Sequence, residues 1–251
     1  MDGIVPSLTM TLQKMKSIRS PFQRHLAPIL FSLAVAVAPL HAQTHSYLPD
    51  GKPDAIALLA PPPLPGSPEQ AADLGEVAAV YHASTRDDMA AANSEKKFSI
   101  FNFTPVIGEF FQPGKFPKTE AFFERVQKQA ETVTDQAKNL YKRPRPYSVD
   151  PSLANGKLEK SFSYPSGHST ESMVLALVLV DLFPDKHDAI IAKARSIGWH
   201  RVEIARHYPT DIYAGHVLAQ AIVREMKANS DFQKDFAEVQ AEIAAAQAKN
   251  D

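Results

Sequence analysis

Residues 168–183 read HSTESMVLALVLVDLF and are almost wholly apolar from Met173 onward. A helix with this composition has no polar face to offer water, so it must lie at the centre of a fold, covered by other helices. It is too short to cross a bilayer. Pro184 ends it, because proline lacks the N–H that would extend the ladder. Elsewhere the chain supplies helices to surround it. Phe122, Phe123, Val126, Ala130, Val133 and Ala137 recur at helical spacing and predict a helix from Lys118 to about Tyr141. The run KRPRPYSVDPS, with three prolines, stops that helix. Further helices are predicted over about 68–92, 186–198, 209–228 and 230–247. The first of these opens with Ser67 as N-cap, Pro68 at the first position and Gln70 closing a capping box. Residues 98–116, aromatic and interrupted by Pro105, Gly108, Pro113 and Gly114, read as a short helix with loops. No alternating strand pattern competes. The expected fold class is all-α, a single bundle-like domain.

Composition narrows the chemistry. The 251 residues contain no cysteine, which excludes disulfides, thiolate metal sites and thiol catalysis. A net charge of −1 gives no general bias toward nucleic acid. At the N-terminus, Lys14, Lys16, Arg19 and Arg24 precede an apolar stretch over 26–40, and Ala42 offers a small residue for cleavage. Residues 1–42 are therefore expected to be a signal peptide, with a periplasmic or secreted domain over 43–251 and no membrane contact after cleavage. Residues 43–68 are proline-rich and predict an extended arm lying on the domain.

Three local clusters carry chemistry: Lys138-x6-Arg145-Pro146, Pro165-Ser166-Gly167-His168, and Arg201-x5-His207-x3-Asp211. Lys138, Arg145 and Arg201 are cations near helix ends, and the guanidinium fork matches phosphate oxygens. Ser166 and Gly167 precede the apolar helix, whose first N–H groups have no partner within it. Gly167 lets that backbone come close to an anion. His207 and Asp211 stand four apart, so the carboxylate can hold one ring nitrogen and leave the other free to attack. His168, on the anion-binding turn, can protonate a departing oxygen. Each cluster alone has an ordinary reading as a cap, a terminator or a solvated charge. Gathered around one tetrahedral anion, they would form a site for phosphoryl transfer.

The three clusters resemble the K-x6-R-P, P-S-G-H, S-R-x5-H-x3-D signature of the PAP2 phosphatases, which share a helical fold with the vanadium haloperoxidases. The stretch YLPDGKPDAIALLAPPPLPGSPEQAADLGEV is similar to the opening of the bacterial class A non-specific acid phosphatases. The resemblance implies His207 as nucleophile, His168 as general acid and Asp211 as the group orienting His207. It implies Lys138, Arg145, Ser166, Gly167 and Arg201 as the phosphate-binding set. It further implies hydrolysis of many phosphomonoesters at acid pH with no metal or other cofactor, transfer to alcohols in some members, inhibition by phosphate, and a homodimer. The alternative within the same fold is a vanadate-dependent haloperoxidase. One position departs: His200 stands where the family has serine, and it is expected either to donate to phosphate or to pack beside Trp199.

Overall fold

The computed structural model describes residues 46–248, so the expected signal peptide lies outside the described residues. Among them are ten α-helices and no strand. In chain order the helices are α1 (Ala55–Leu58), α2 (Pro68–Ala83), α3 (Arg86–Ser94), α4 (Thr104–Ile107), α5 (Pro117–Tyr141), α6 (Pro146–Val149), α7 (Gly167–Leu182), α8 (His187–Glu203), α9 (Pro209–Lys227) and α10 (Ser230–Gln247).

The apolar helix α7 is the centre. It packs against α5, α8 and α9. Val174, Leu175, Ala176, Val178 and Leu179 are fully buried, and each large side chain among them stabilises the fold by about 1.5–3 kcal/mol. Two glycines let α8 and α9 press closely on the first turns of α7. A Cβ on Gly215 would sit 3.0 Å from the Ser169 side chain and 3.1 Å from the Ser166 carbonyl oxygen. One on Gly198 would sit 3.2 Å from Ser169 Oγ. α8 and α9 thus pack closely at the end of α7 that carries the Ser166-Gly167-His168 turn.

The proline-rich arm is fastened by tyrosines. Tyr47 packs between Phe122 and Phe232, at 5.7 and 5.4 Å between ring centroids. Its hydroxyl donates to Asp235 at 2.6 Å and accepts from Arg125 at 2.7 Å. Tyr141 and Tyr164 donate to the carbonyls of Leu59 and Ala60.

Three local expectations need correction. The helix expected over 68–92 is two helices. Ser84 closes α2, while Thr85 caps α3 in a full capping box with Asp88. Gln70 does not complete a box with Ser67; its carbonyl oxygen accepts instead from buried Arg143 at 2.8 Å. Gly198 does not end α8, which runs on to Glu203; that glycine instead permits close packing on Ser169 of α7.

Candidate active site

The prolines after α5 turn the chain sharply, so Lys138 in its last turn and Arg145 just beyond both point inward. Both are buried, as are Arg201 in the last turn of α8, and His207 and Asp211 around the start of α9. Ser166 caps α7, accepting from the Ser169 amide, and its own N–H donates to the Asp211 carbonyl at 3.0 Å. That bond ties the glycine turn to the start of α9.

His207 is held from both sides. Nδ1 lies 3.2 Å from Asp211 Oδ2, and Nε2 lies 3.1 Å from Arg145 Nη1. A guanidinium can only donate, so Nε2 must present its lone pair and Nδ1 must carry the proton toward Asp211. Burial, then the charges of Arg145 and Lys138, hold the imidazole well below its usual range. Burial and Arg145 also bring Lys138 down to about 8.

His168 stands on the glycine turn beside the Phe98 ring, 5.3 Å between centroids. The backbone of Glu95 and Lys96 lies against it. Burial and then Arg201 lower its imidazole to about 4. His168 Nε2, Arg201 Nε and Arg201 Nη1 are buried with no hydrogen-bond partner among the described residues. Buried polar atoms of this kind are rare in a folded chain and mark a place built for a polar ligand.

Of the residues expected at the site, His200 alone is not brought to it. Its Nδ1 pairs with Glu95 Oε2 at 2.5 Å, and its Nε2 lies 4.0 Å from Glu203. Glu95 also holds Lys193 at 2.7 Å. His200 therefore anchors, through Glu95, the backbone that touches His168, and its Nδ1 is turned to a carboxylate rather than to the phosphate cradle.

Several residues of the site were not foreseen. Arg143, buried, bridges Asp73 at 2.6 Å and Asp211 at 2.7 Å and lies over the Tyr208 ring at 3.7 Å. Ser163 Oγ donates to Asp211 Oδ2 at 2.5 Å and lies 3.4 Å from His207 Nδ1. Glu159 pairs with Arg145 at 2.6 Å and with Arg201. Burial pushes its carboxyl up, but the two guanidinium groups outweigh this and hold it at about 2. The sequence did carry one signal for Arg143: an Arg-Pro pair two residues before the one assigned to phosphate. Among the described residues no group of three or more His, Asp or Glu could hold a metal ion.

The helical bundle brings three cations and two histidines together, a set able to receive a tetrahedral anion, and comparison with known proteins points to the same class of protein. Residues 129–232 match the PAP2 superfamily. More particularly, the chain is similar to bacterial non-specific acid phosphatases. It is 28% identical over 192 residues to an acid phosphatase of Zymomonas mobilis, covering 73% of each chain. It is 28% identical over 208 residues to a non-specific acid phosphatase of Providencia stuartii, covering 76% of this chain and 81% of that one. The fold is similar to a transmembrane PAP2 type phosphatidylglycerolphosphate phosphatase from Bacillus subtilis. The TM-score there is 0.50 at 21% identity, over 69% of this chain and 89% of that one. Among the described residues no helix is long and apolar enough to cross a membrane.

Proposed function

We propose that the protein hydrolyses phosphomonoesters by transferring the phosphoryl group to His207 Nε2, without a metal. The chain is a phosphatase enzyme of the PAP2 superfamily; the mechanism and its residues are our reading. The observation that carries it is the two-sided hold on His207, with Asp211 on Nδ1 and the nucleophilic lone pair turned toward Arg145.

Nε2 attacks phosphorus, and the bond to the ester oxygen breaks. His168 gives its proton to that oxygen, so an alcohol leaves. Water then attacks the phosphohistidine, giving its proton to the now neutral His168, and inorganic phosphate departs. Lys138, Arg145, Arg201, Ser166 and the Gly167 amide hold the three equatorial oxygens. The depressed basicity of His207 keeps it unprotonated at acid pH, which suits an acid phosphatase. A bound phosphoryl group, being negative, raises the affinity of His168 for the proton it must deliver.

A periplasmic or secreted location belongs to the same reading, resting on the N-terminal sequence. So do a broad substrate range, phosphoryl transfer to alcohols and a homodimer, resting on the family resemblance. The named relatives favour hydrolysis over vanadate-dependent halide oxidation. The test is p-nitrophenyl phosphate hydrolysis near pH 5–6 in EDTA. His207→Ala should abolish turnover and leave no acid-labile, base-stable phosphoprotein in rapid quench. Persistence of that intermediate in the variant would overturn the assignment. Orthovanadate and phosphate should compete with substrate.

A further inference from the structure

One acidic side chain beside the cradle has no part in this chemistry. Glu171 stands three residues after His168 on α7. Its Oε2 accepts from Gln127 Nε2 of α5 at 3.0 Å. Its Oε1 lies 3.3 Å from the point a Cβ on Gly167 would occupy, and Lys138 Nζ lies 3.8 Å from the same point. Carboxyl and ammonium therefore border one face of the glycine whose amide heads α7. That face is where a phosphoryl oxygen would sit if Gly167 and Lys138 bind it together. A carboxylate there would repel the anion, whereas a neutral carboxyl would offer it an O–H donor.

We propose that Glu171 is a further phosphate-binding residue that acts as the neutral acid, donating to a phosphoryl oxygen when protonated and weakening anion binding when ionised. The proposal rests on the phosphatase reading of this cradle. Burial is the main reason the carboxyl holds its proton, and it rises to about 7. The charged groups acting on it come from α5. Glu131 and Asp135 push it up, Lys138 pulls it down, and Lys128 is also coupled to it. The hydrogen bond from Gln127 favours the ionised form. On its own helix, His168 is neutral over the same pH range in the free site, and any proton it takes up with a bound anion is common to wild type and Glu171→Gln. The sign follows. Below about pH 7 Glu171 is protonated and anions bind well; above it, ionisation works against them.

The test uses the full chain and sulfate, whose charge is constant over the range, with affinity measured by calorimetry at pH 6, 7 and 8. One proton linked to binding makes wild-type affinity fall roughly tenfold between pH 6 and 8 beyond the fall in Glu171→Gln. Lys138 titrates in both proteins, and because the ionised Glu171 favours its charged form, that titration can only lessen the difference and not create it. In turnover, the matching change should fall on KM for p-nitrophenyl phosphate, with kcat spared. Gln127→Leu, which removes the donor to the carboxylate, should move the wild-type midpoint to higher pH. Parallel profiles in wild type and Glu171→Gln, in a protein that does hydrolyse the ester, would overturn the role of Glu171 alone. Absence of both sulfate binding and hydrolysis would overturn it together with the phosphatase reading. Should Glu171→Gln fail to fold, an unmoved midpoint in Gln127→Leu is the overturning result.

Discussion

The carboxylate of Glu159 and a phosphoryl group would draw on the same guanidinium charges, those of Arg145 and Arg201. An anionic substrate must therefore displace or share an ion pair that is already made. Removing the charge in Glu159→Gln should tighten inhibition by phosphate by about tenfold, or roughly 1.4 kcal/mol, as read from competitive inhibition at pH 6. Arg143 poses the opposite case. It touches no part of the cradle directly, yet it neutralises two buried carboxylates, Asp73 and Asp211. Arg143→Met should cost about 3–5 kcal/mol, because it leaves both charges buried and uncompensated. Urea unfolding would measure this, and turnover should fall with it as Asp211 loses its fixed position under His207. Neither residue stood out in the sequence. Glu159 sits in a loop whose course nothing local dictates, and Arg143 reads as one more charge in a terminating Arg-Pro run.

At the scale of elements, the site depends on how closely α8 and α9 approach the head of α7. Gly215→Ala places a methyl 3.0 Å from Ser169 and 3.1 Å from a backbone oxygen of Ser166, and backbone cannot swing aside as a side-chain end can. The variant should lose about 1–3 kcal/mol and drop kcat more than KM, because the turn bearing His168 shifts against the helix bearing Asp211. Thermal unfolding and steady-state kinetics would check the two halves. Helix identities were largely legible, since the apolar spacing of α5 and the unbroken core run of α7 leave few alternatives. The errors fell where a residue has two uses. Thr85 and Asp88 form a cap that the alanine-rich pattern around them obscured. The expected helix stopped at 198, yet Gly198 lies inside α8, where its missing side chain serves contact with Ser169.

The whole molecule should be less stable in acid: His168, His207 and Glu159 all act in that sense, against Glu171, whose raised carboxyl adds stability as pH falls from about 7 toward about 4.3. His168 is lowered in the folded state, to about 4 against about 6.5 unfolded. The unfolded chain therefore takes up the proton first, and the stability associated with a neutral His168 is lost as pH falls from about 6.5 toward 4. Glu159 acts lower, its contribution fading from about pH 4.3 toward 2. His168→Gln should lessen the fall of Tm between pH 6.5 and 4, removing up to about 2–3 kcal/mol of the pH-linked loss and leaving the part due to His207. A scanning calorimeter series across that range would decide it.

Much of this protein was determined by order and residue type along the chain. A core helix without a polar face, prolines that end helices, and the local spacings Lys138-x6-Arg145, Ser166-Gly167-His168 and Arg201-x5-His207-x3-Asp211 act over one or two turns, so they are visible in one dimension. Tertiary structure alone decided the rest: that Glu159 pairs with the arginines, that Arg143 holds Asp211, that Glu171 shares a face with Lys138, and that His200 turns to Glu95. Each of these brings together side chains separated along the chain. Burial and unlike charge select them only once helix packing has brought the partners together, and no local pattern encodes that choice.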